Sequence, residues 1–268
     1  MRRTSRLDSF ELALLLSVAE NRHACGILID GRSQRAGDVF NEAADYLHMT
    51  GEDLERLVKE GGIPFERHGG RPVFTRREVD VWASRRILGA SEKRLENYHR
   101  RTTDRLKRLT EGGEMLVELL RPEAITPALD ARTRASALRE MVAIAERTGL
   151  VNYPRELLEM LRQREELCST ALPGGPALLH PRHHDPYMFS DSFVALGRTR
   201  PPIPFGAPDG APTDLFFLVC CQDDRIHLHI LARLCLICTR TKLAARLREA
   251  PDAKTMRAAI LKAEREAV

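Results

Sequence analysis

The sequence predicts two units: a small helical one and, after it, a larger α/β one. Three observations carry that expectation. Residues 38–88 of the 268-residue chain read helix, tight turn, helix, short hairpin, helix. Residues 113–268 alternate helical patterns with extended runs, the most apolar being TDLFFLVCC, and such alternation folds as a sheet covered by helices. Residues 89–112 between them are strongly charged, with a narrow apolar stripe of Leu95, Tyr98, Leu106 and Leu109, which suits a solvated linker helix that could also dimerise. Residues 1–37 show no clear pattern beyond one short helix around 8–21.

Length and composition fit this reading. A chain of 268 residues suits two modest domains better than one large core. With 43% hydrophobic and 30% charged residues it is of ordinary globular composition. The apolar runs LALLLSV and LFFLVCC are too short to span a bilayer. Arginines precede the first run, as in a secretory leader, but Glu11 interrupts it and no small-x-small cleavage site follows. The expectation is a cytoplasmic protein with no membrane partner. Net charge is +4, and residues 1–112 hold 21 Lys/Arg against 18 Asp/Glu, so any nucleic-acid contact must come from local clustering. Of the six cysteines, Cys220 and Cys221 lie in the apolar run, and Cys235 and Cys238 lie one helical turn apart on an apolar face. They read as core residues, and no metal is assigned.

In the first unit, VFNEAADYLHM gives a helix with Val39, Ala43, Ala44 and Leu47 on one face. Thr50 caps the next helix, with Asp53 three residues on, and that helix ends at Gly61–Gly62. IPFERHGGRPVF gives a hairpin around a His-Gly-Gly turn. Thr75 then caps TRREVDVWASRRI, with Val79, Trp82 and Ile87 facing inward. The order of elements, with EAADYL, LVKEGGIP, HGGRPVF and EVDVW, resembles the excisionase-type winged helix-turn-helix modules over about fifty residues. That resemblance implies DNA as a partner, the second helix in the major groove, and Arg67, Arg71, Arg76 and Arg77 as phosphate contacts. Glu52, Asp53 and Glu55 depart from it: acidic residues suit a helix N-terminus but repel phosphate. The alternative is a helix-turn-helix fold used for protein contacts.

In the second unit, ELLRPEAITPALDARTRASALREMVAIAERTG predicts a short start, a proline turn and a long helix ending at Gly149. PRELLEMLRQREEL gives another helix, FVALGRTRPPIPFG and TDLFFLVCC extended runs, and HLHILARLCLICTR a helix with two more after it. Within this unit stand Arg164, His180 and His227. A Gly/Pro break separates Arg164 from His180, so a loop must bring them together. Their order and spacing resemble the IIA subunits of the mannitol/fructose/nitrogen-regulatory class of the bacterial sugar phosphotransferase system, across about 150 residues.

The resemblance implies an EIIA type-2 fold, a mixed β-sheet flanked by helices. It makes His180 the phosphoryl acceptor, His227 its partner, Arg164 the clamp, and Ser169 and Thr170 pocket residues. A neutral imidazole is nucleophilic near physiological pH, and arginine offers a planar fork of donors to phosphate oxygens. His227 is expected at a helix start, where backbone N–H groups favour an anion. The implied donor is a histidine phosphocarrier protein, with a IIB or regulatory protein as a further partner and no cofactor. The family usually has proline just before the acceptor histidine, where this chain has Leu179. His183, His184 and Asp185, with His180, His227 and His229, offer a metal alternative without fixed ligand spacing. Asp209 and Asp214 read as turn residues. Three functions compete: a transcriptional regulator gated by phosphorylation, a phosphotransferase subunit serving a IIB partner, and an unphosphorylated interaction module.

Overall fold

In the computed structural model, which describes residues 36–68, 70–106, 115–181, 187–222 and 224–267, the chain divides into units Met1–Val79 and Asp80–Val268. The short helix expected around 8–21 lies outside the described residues.

In the first unit, helix α1 (Ala36–Tyr46) buries Ala43, Ala44 and Tyr46. Helix α2 (Gly51–Lys59) starts where Thr50 was expected to cap it: the Thr50 hydroxyl accepts the Asp53 N–H at 3.1 Å. It ends as Gly62 N–H donates to the Leu57 carbonyl at 2.8 Å, with Gly61 at φ +64°, a turn that suits glycine. Strands β1 (Glu66–His68) and β2 (Arg71–Val73) pair antiparallel, Arg67 opposite Pro72. Leu54, Leu57, Ile63 and Phe74 fill the core, and the rings of Phe40 and Phe74 are 6.1 Å apart. Helix α3 (Arg76–Leu88) begins after Thr75, whose carbonyl accepts the N–H groups of Glu78 and Val79. Val79 and Ile87 are buried as expected; Trp82 is half-buried beneath the Arg86 guanidinium.

The second unit takes in the rest of α3 and continues with α4 (Glu92–Leu106), α5 (Met115–Leu119), β3 (Leu120–Leu129), α6 (Arg134–Glu146), α7 (Pro154–Leu167) and β4 (Pro176–Leu179). Then follow β5 (Phe193–Ile203), β6 (Thr213–Cys220), α8 (Asp224–Arg240), α9 (Leu243–Glu249) and α10 (Ala253–Ala267). Among the described residues the sheet runs β3-β5-β6-β4, with β3/β5 and β4/β6 parallel and β5/β6 antiparallel. It is the mixed sheet flanked by helices that was expected. All eight residues of β6 are buried, which explains its unbroken apolar run. Gly197 lets α6 approach β5: a Cβ there would lie 2.7 Å from Met141 Sδ.

Three expectations differ from the structure. The segment read as a short start and a proline turn is β3, which carries Pro122 and Pro127. It is an edge strand with register shifts, where prolines that cannot donate to a ladder are tolerated. The Gly/Pro break before His180 leads into the short strand β4 rather than a free loop. The charged segment expected as a solvated linker is solvated on one face only along its described part, because the other face of α4 packs on α8. Leu95, His99 and Thr102 are buried there, Arg240 of α8 holds Glu92 and Glu96 at 2.7 and 2.6 Å, and the rings of His99 and His229 stack at 4.7 Å. The apolar stripe was too sparse to show this, since ion pairs and a Thr102–His229 hydrogen bond carry part of the contact.

Candidate active site

His180 is set by its approach. At Gly175, φ is +105°, a conformation that side-chain-bearing residues rarely adopt, and a Cβ would press on the Arg248 guanidinium and lie 2.7 Å from Asp214 Oδ1. Strand β4 then pairs with β6, Leu178 opposite Phe217 and Leu179 opposite Leu218, and His180 follows at the strand end. Leu179 stands in the ladder, 1% exposed. Pairing and burial fix the backbone here, the task proline's rigid φ would otherwise serve.

The chemistry of the partners sets the tautomer of His180. Arg164 Nε–H can only donate, and it lies 3.0 Å from His180 Nε2. The Leu178 carbonyl can only accept, and it lies 2.8 Å from His180 Nδ1. Nδ1 therefore carries the proton and Nε2 the lone pair. The ring is a neutral nucleophile with a defined reactive nitrogen.

Arg164 sits in the last turn of α7, where a cation is favoured by the helix dipole. Its Nη1 donates to the Cys168 carbonyl at 3.0 Å and to Cys168 Sγ at 3.3 Å, and Nη2 lies 3.4 Å from Ser84 Oγ. The neighbouring Glu165 is buried and accepts the backbone N–H and hydroxyl of Thr170. Burial pushes its carboxyl up in pKa, and these bonds with Thr170 oppose the rise. The Thr170 carbonyl accepts the Leu178 N–H at 3.0 Å. One relay thus runs from Glu165 through Thr170 and Leu178 to the His180 ring. Ser169 Oγ donates to the Phe205 carbonyl at 2.8 Å and accepts the Ala171 N–H, so its bonds shape the turn after α7.

His227 lies in the first turn of α8, its ring centroid 5.2 Å from that of His180. Burial first, then the electrostatic influence of the neighbouring His180 ring and the Arg164 guanidinium, push its pKa well below the usual imidazole value, so it stays neutral. The exposures of Arg164, His180 and His227 are 1%, 2% and 5%. The three residues singled out in the sequence are gathered, and they are enclosed.

Other candidates fall elsewhere. Thr102 Oγ donates to the His99 carbonyl and accepts from Nδ1 of His229 at 2.6 Å, so His229 serves the α4 packing. His183, His184 and Asp185 lie outside the described residues. Among the described residues, no group of three His, Cys, Asp or Glu is placed to hold a metal. Asp209 accepts the N–H groups of Gly174 and Ala211 as a turn residue does, whereas Asp214 is paired with Arg248 at 2.6 Å. Cys220, Cys221 and Cys235 are core residues, and burial raises the Cys220 and Cys235 thiols in pKa. Arg67 extends from the hairpin, bonding the Gly70 carbonyl and lying 5.5 Å from the Phe65 ring centre; Arg76 lies over Tyr46, and Arg71 and Arg77 occupy β2 and α3. Among the described residues no helix is long and apolar enough to cross a membrane. Nothing in the local pattern singles out Ser84, Arg85 or Cys168, because their contribution is hydrogen bonding across distant segments. Arg85 donates to the Leu167 carbonyl at 2.7 Å and to Cys168 Sγ at 3.2 Å.

Comparison with known proteins bears on this half of the chain. Residues 118–263 match the family described as phosphoenolpyruvate-dependent sugar phosphotransferase system, EIIA 2. A nitrogen regulatory protein of Bradyrhizobium diazoefficiens is 35% identical over 144 residues, covering 53% of this chain and 91% of that protein. The fructose-specific EIIABC component of Bacillus subtilis is 25% identical over 137 residues, 50% of this chain but only 21% of that protein. The crystal structure of nitrogen regulatory protein IIA-Ntr from Neisseria meningitidis is 27% identical, covers 55% of this chain and 99% of its own, and superposes with a TM-score of 0.49. The family match spans more than half of the 268 residues and encloses Arg164, His180 and His227, so the chain belongs to the EIIA type-2 family of the phosphotransferase system.

Proposed function

We propose that His180 accepts a phosphoryl group from a histidine phosphocarrier protein, and that this chain is a regulator whose output depends on that group. The observation carrying the reading is the fixed tautomer: Nδ1 tied to the Leu178 carbonyl and the Nε2 lone pair facing Arg164. In the transfer, the P–N bond of the donor breaks as a bond from Nε2 to phosphorus forms, and the donor imidazole leaves with the electron pair. The Nδ1 proton stays in place, and the Leu178 carbonyl stabilises the positive charge that develops on the ring. Arg164 turns its fork to the phosphate oxygens, while neutral His227 lies beside them without competing for the cationic role. Thr170 holds Leu178, and Ser169 holds the adjoining turn. Incubation with phosphoenolpyruvate and a reconstituted phosphocarrier chain tests the reading by phosphorus NMR. A phosphoramidate resonance on this chain is expected; its absence, with the carrier itself phosphorylated, would refute the reading.

For residues 38–88 we propose a winged helix-turn-helix module that binds DNA, followed by a connecting segment at 89–112 and the EIIA domain at 113–268. Its support is the element order and the exposed Arg67 on the hairpin. Arg71, Arg76 and Arg77 complete the basic set. The acidic start of α2 is partly neutralised within the helix, with Asp53 bonded to Arg56 at 2.5 Å and Glu55 to Lys59 at 3.0 Å, which leaves phosphate contacts to the hairpin. A IIB protein as onward acceptor is the competing reading, and transfer to such a protein in the same assay decides between them.

A further inference from the structure

We infer that the second half of α3, residues 80–88, is an autoinhibitory cover on the His180 site, which a phosphoryl donor must displace. The inference rests on the reading of His180 as acceptor, but its geometry stands separately. The family match covers residues 118–263, so this segment is an addition from outside the matched domain. It nonetheless belongs to the larger unit and is fastened to the site's own residues.

Two adjacent side chains do the fastening. Ser84, 2% exposed, lies with its Oγ 3.4 Å from Arg164 Nη2 and also donates to the Val81 carbonyl at 3.2 Å. Arg85 reaches the end of α7, donating to the Leu167 carbonyl at 2.7 Å and Cys168 Sγ at 3.2 Å. A cation against the last carbonyls of a helix is stabilised by the helix dipole. Cys168 Sγ thus accepts from two guanidinium groups, one on the cover and one in the site. Ala83 and Ile87 on the same segment are buried as well.

The consequence for access is direct. In-line attack needs open space beyond Nε2, yet Nε2 holds the Arg164 N–H and His180 is 2% exposed. Arg164 cannot turn to an incoming phosphate while its donors are engaged with Cys168 and Ser84. Opening the cover releases Arg164 Nη2 from Ser84 and Cys168 Sγ from Arg85, which loosens the guanidinium so that it can turn off Nε2 toward a phosphate. Once formed, a phosphoryl group competes with Ser84 for the Arg164 fork, so phosphorylation favours the open cover.

Diethyl pyrocarbonate, which acylates unprotonated imidazole nitrogen, reads access without requiring phosphoryl transfer. In the full chain, labelling of His180 followed by peptide mass spectrometry should be slow. It should rise about tenfold in a Ser84→Ala/Arg85→Glu variant, the loss expected when charge-assisted hydrogen bonds that hold a closed state are removed. Arg85→Lys should stay slow. Should the double variant melt early, Arg85→Ala is read instead, because Arg85 is exposed and its truncation leaves the core intact. Equal labelling in the native chain and in variants that melt alike would overturn the cover. Faster labelling with no phosphate uptake by any chain would uphold the cover and refute the phosphoryl reading.

Discussion

Arg164 donates its Nε–H to Nε2 of His180 at 3.0 Å, on the nitrogen whose lone pair would attack phosphorus in the proposed transfer. The same side chain that would clamp the phosphate therefore blocks the nucleophile at rest. Such a contact keeps the ring in its Nδ1–H tautomer and stops idle reaction, and it makes activity depend on a rearrangement of the guanidinium.

Arg164→Lys should separate charge from geometry. Lysine keeps the charge but has neither the fork nor the Nε–H at the right height. Single-turnover transfer from a phosphorylated carrier should slow by about 10²–10³-fold, the usual loss of an oriented donor, while His180 remains the labelled residue. A rate within about twofold of the native chain would show that charge alone suffices.

Acid should weaken the larger unit through its buried imidazoles. Burial, with Arg233 nearby, lowers the His99 pKa from 6.5 to about 4, and His227 is also lowered. His99 faces Arg233 Nη1 at 3.4 Å, the His229 ring and Thr103 Oγ1. The unfolded chain takes up these protons first, so stability should fall as pH drops from 6.5 toward about 4. His99 accounts for up to about 3 kcal/mol of that loss. Urea melts from pH 7 to pH 4.5 check this, and a His99→Gln variant should show a shallower slope.

Gly175→Ala should injure both fold and site. The residue sits at φ +105°, with Asp214 and Arg248 where a Cβ would go. A cost of about 1–3 kcal/mol in thermal or urea melts is expected. Because β4 leads directly to His180, phosphoryl uptake should fall as well. Unchanged melts would mean the strand start shifts freely.

The sequence made the central sheet strand and the site legible for different reasons. The run at 215–221 is apolar because β6 is buried on both faces, so burial itself wrote the signal. Arg164, His180 and His227 were found through family spacing, and the structure gathers them. Edge strand β3 was hidden by Pro122 and Pro127, which look like turn residues unless the strand lies at an edge. Strand β4 is four residues long and follows two glycines, so local pattern could not separate it from a loop. The packing of α4 escaped because it depends on Thr102 and His229 meeting across 127 positions, a relation no local window contains. Ser84 and Arg85 escaped for the same reason.

For the first unit, Arg67→Ala should weaken DNA binding equally across sequences. Fluorescence anisotropy should show the salt slope reduced by about 1, as loss of one phosphate contact requires. No DNA affinity in the native chain even at low salt would assign the unit to protein contacts.

The most direct test of the central claim is acid-labile phosphate on full-length variants charged through phosphoenolpyruvate and the phosphocarrier. The native chain should be labelled, and peptide mapping should place the label on His180. His180→Ala should carry none, while His227→Ala and Arg164→Ala should be labelled slowly on His180. Undiminished labelling of His180→Ala would contradict the account and move the acceptor to another histidine.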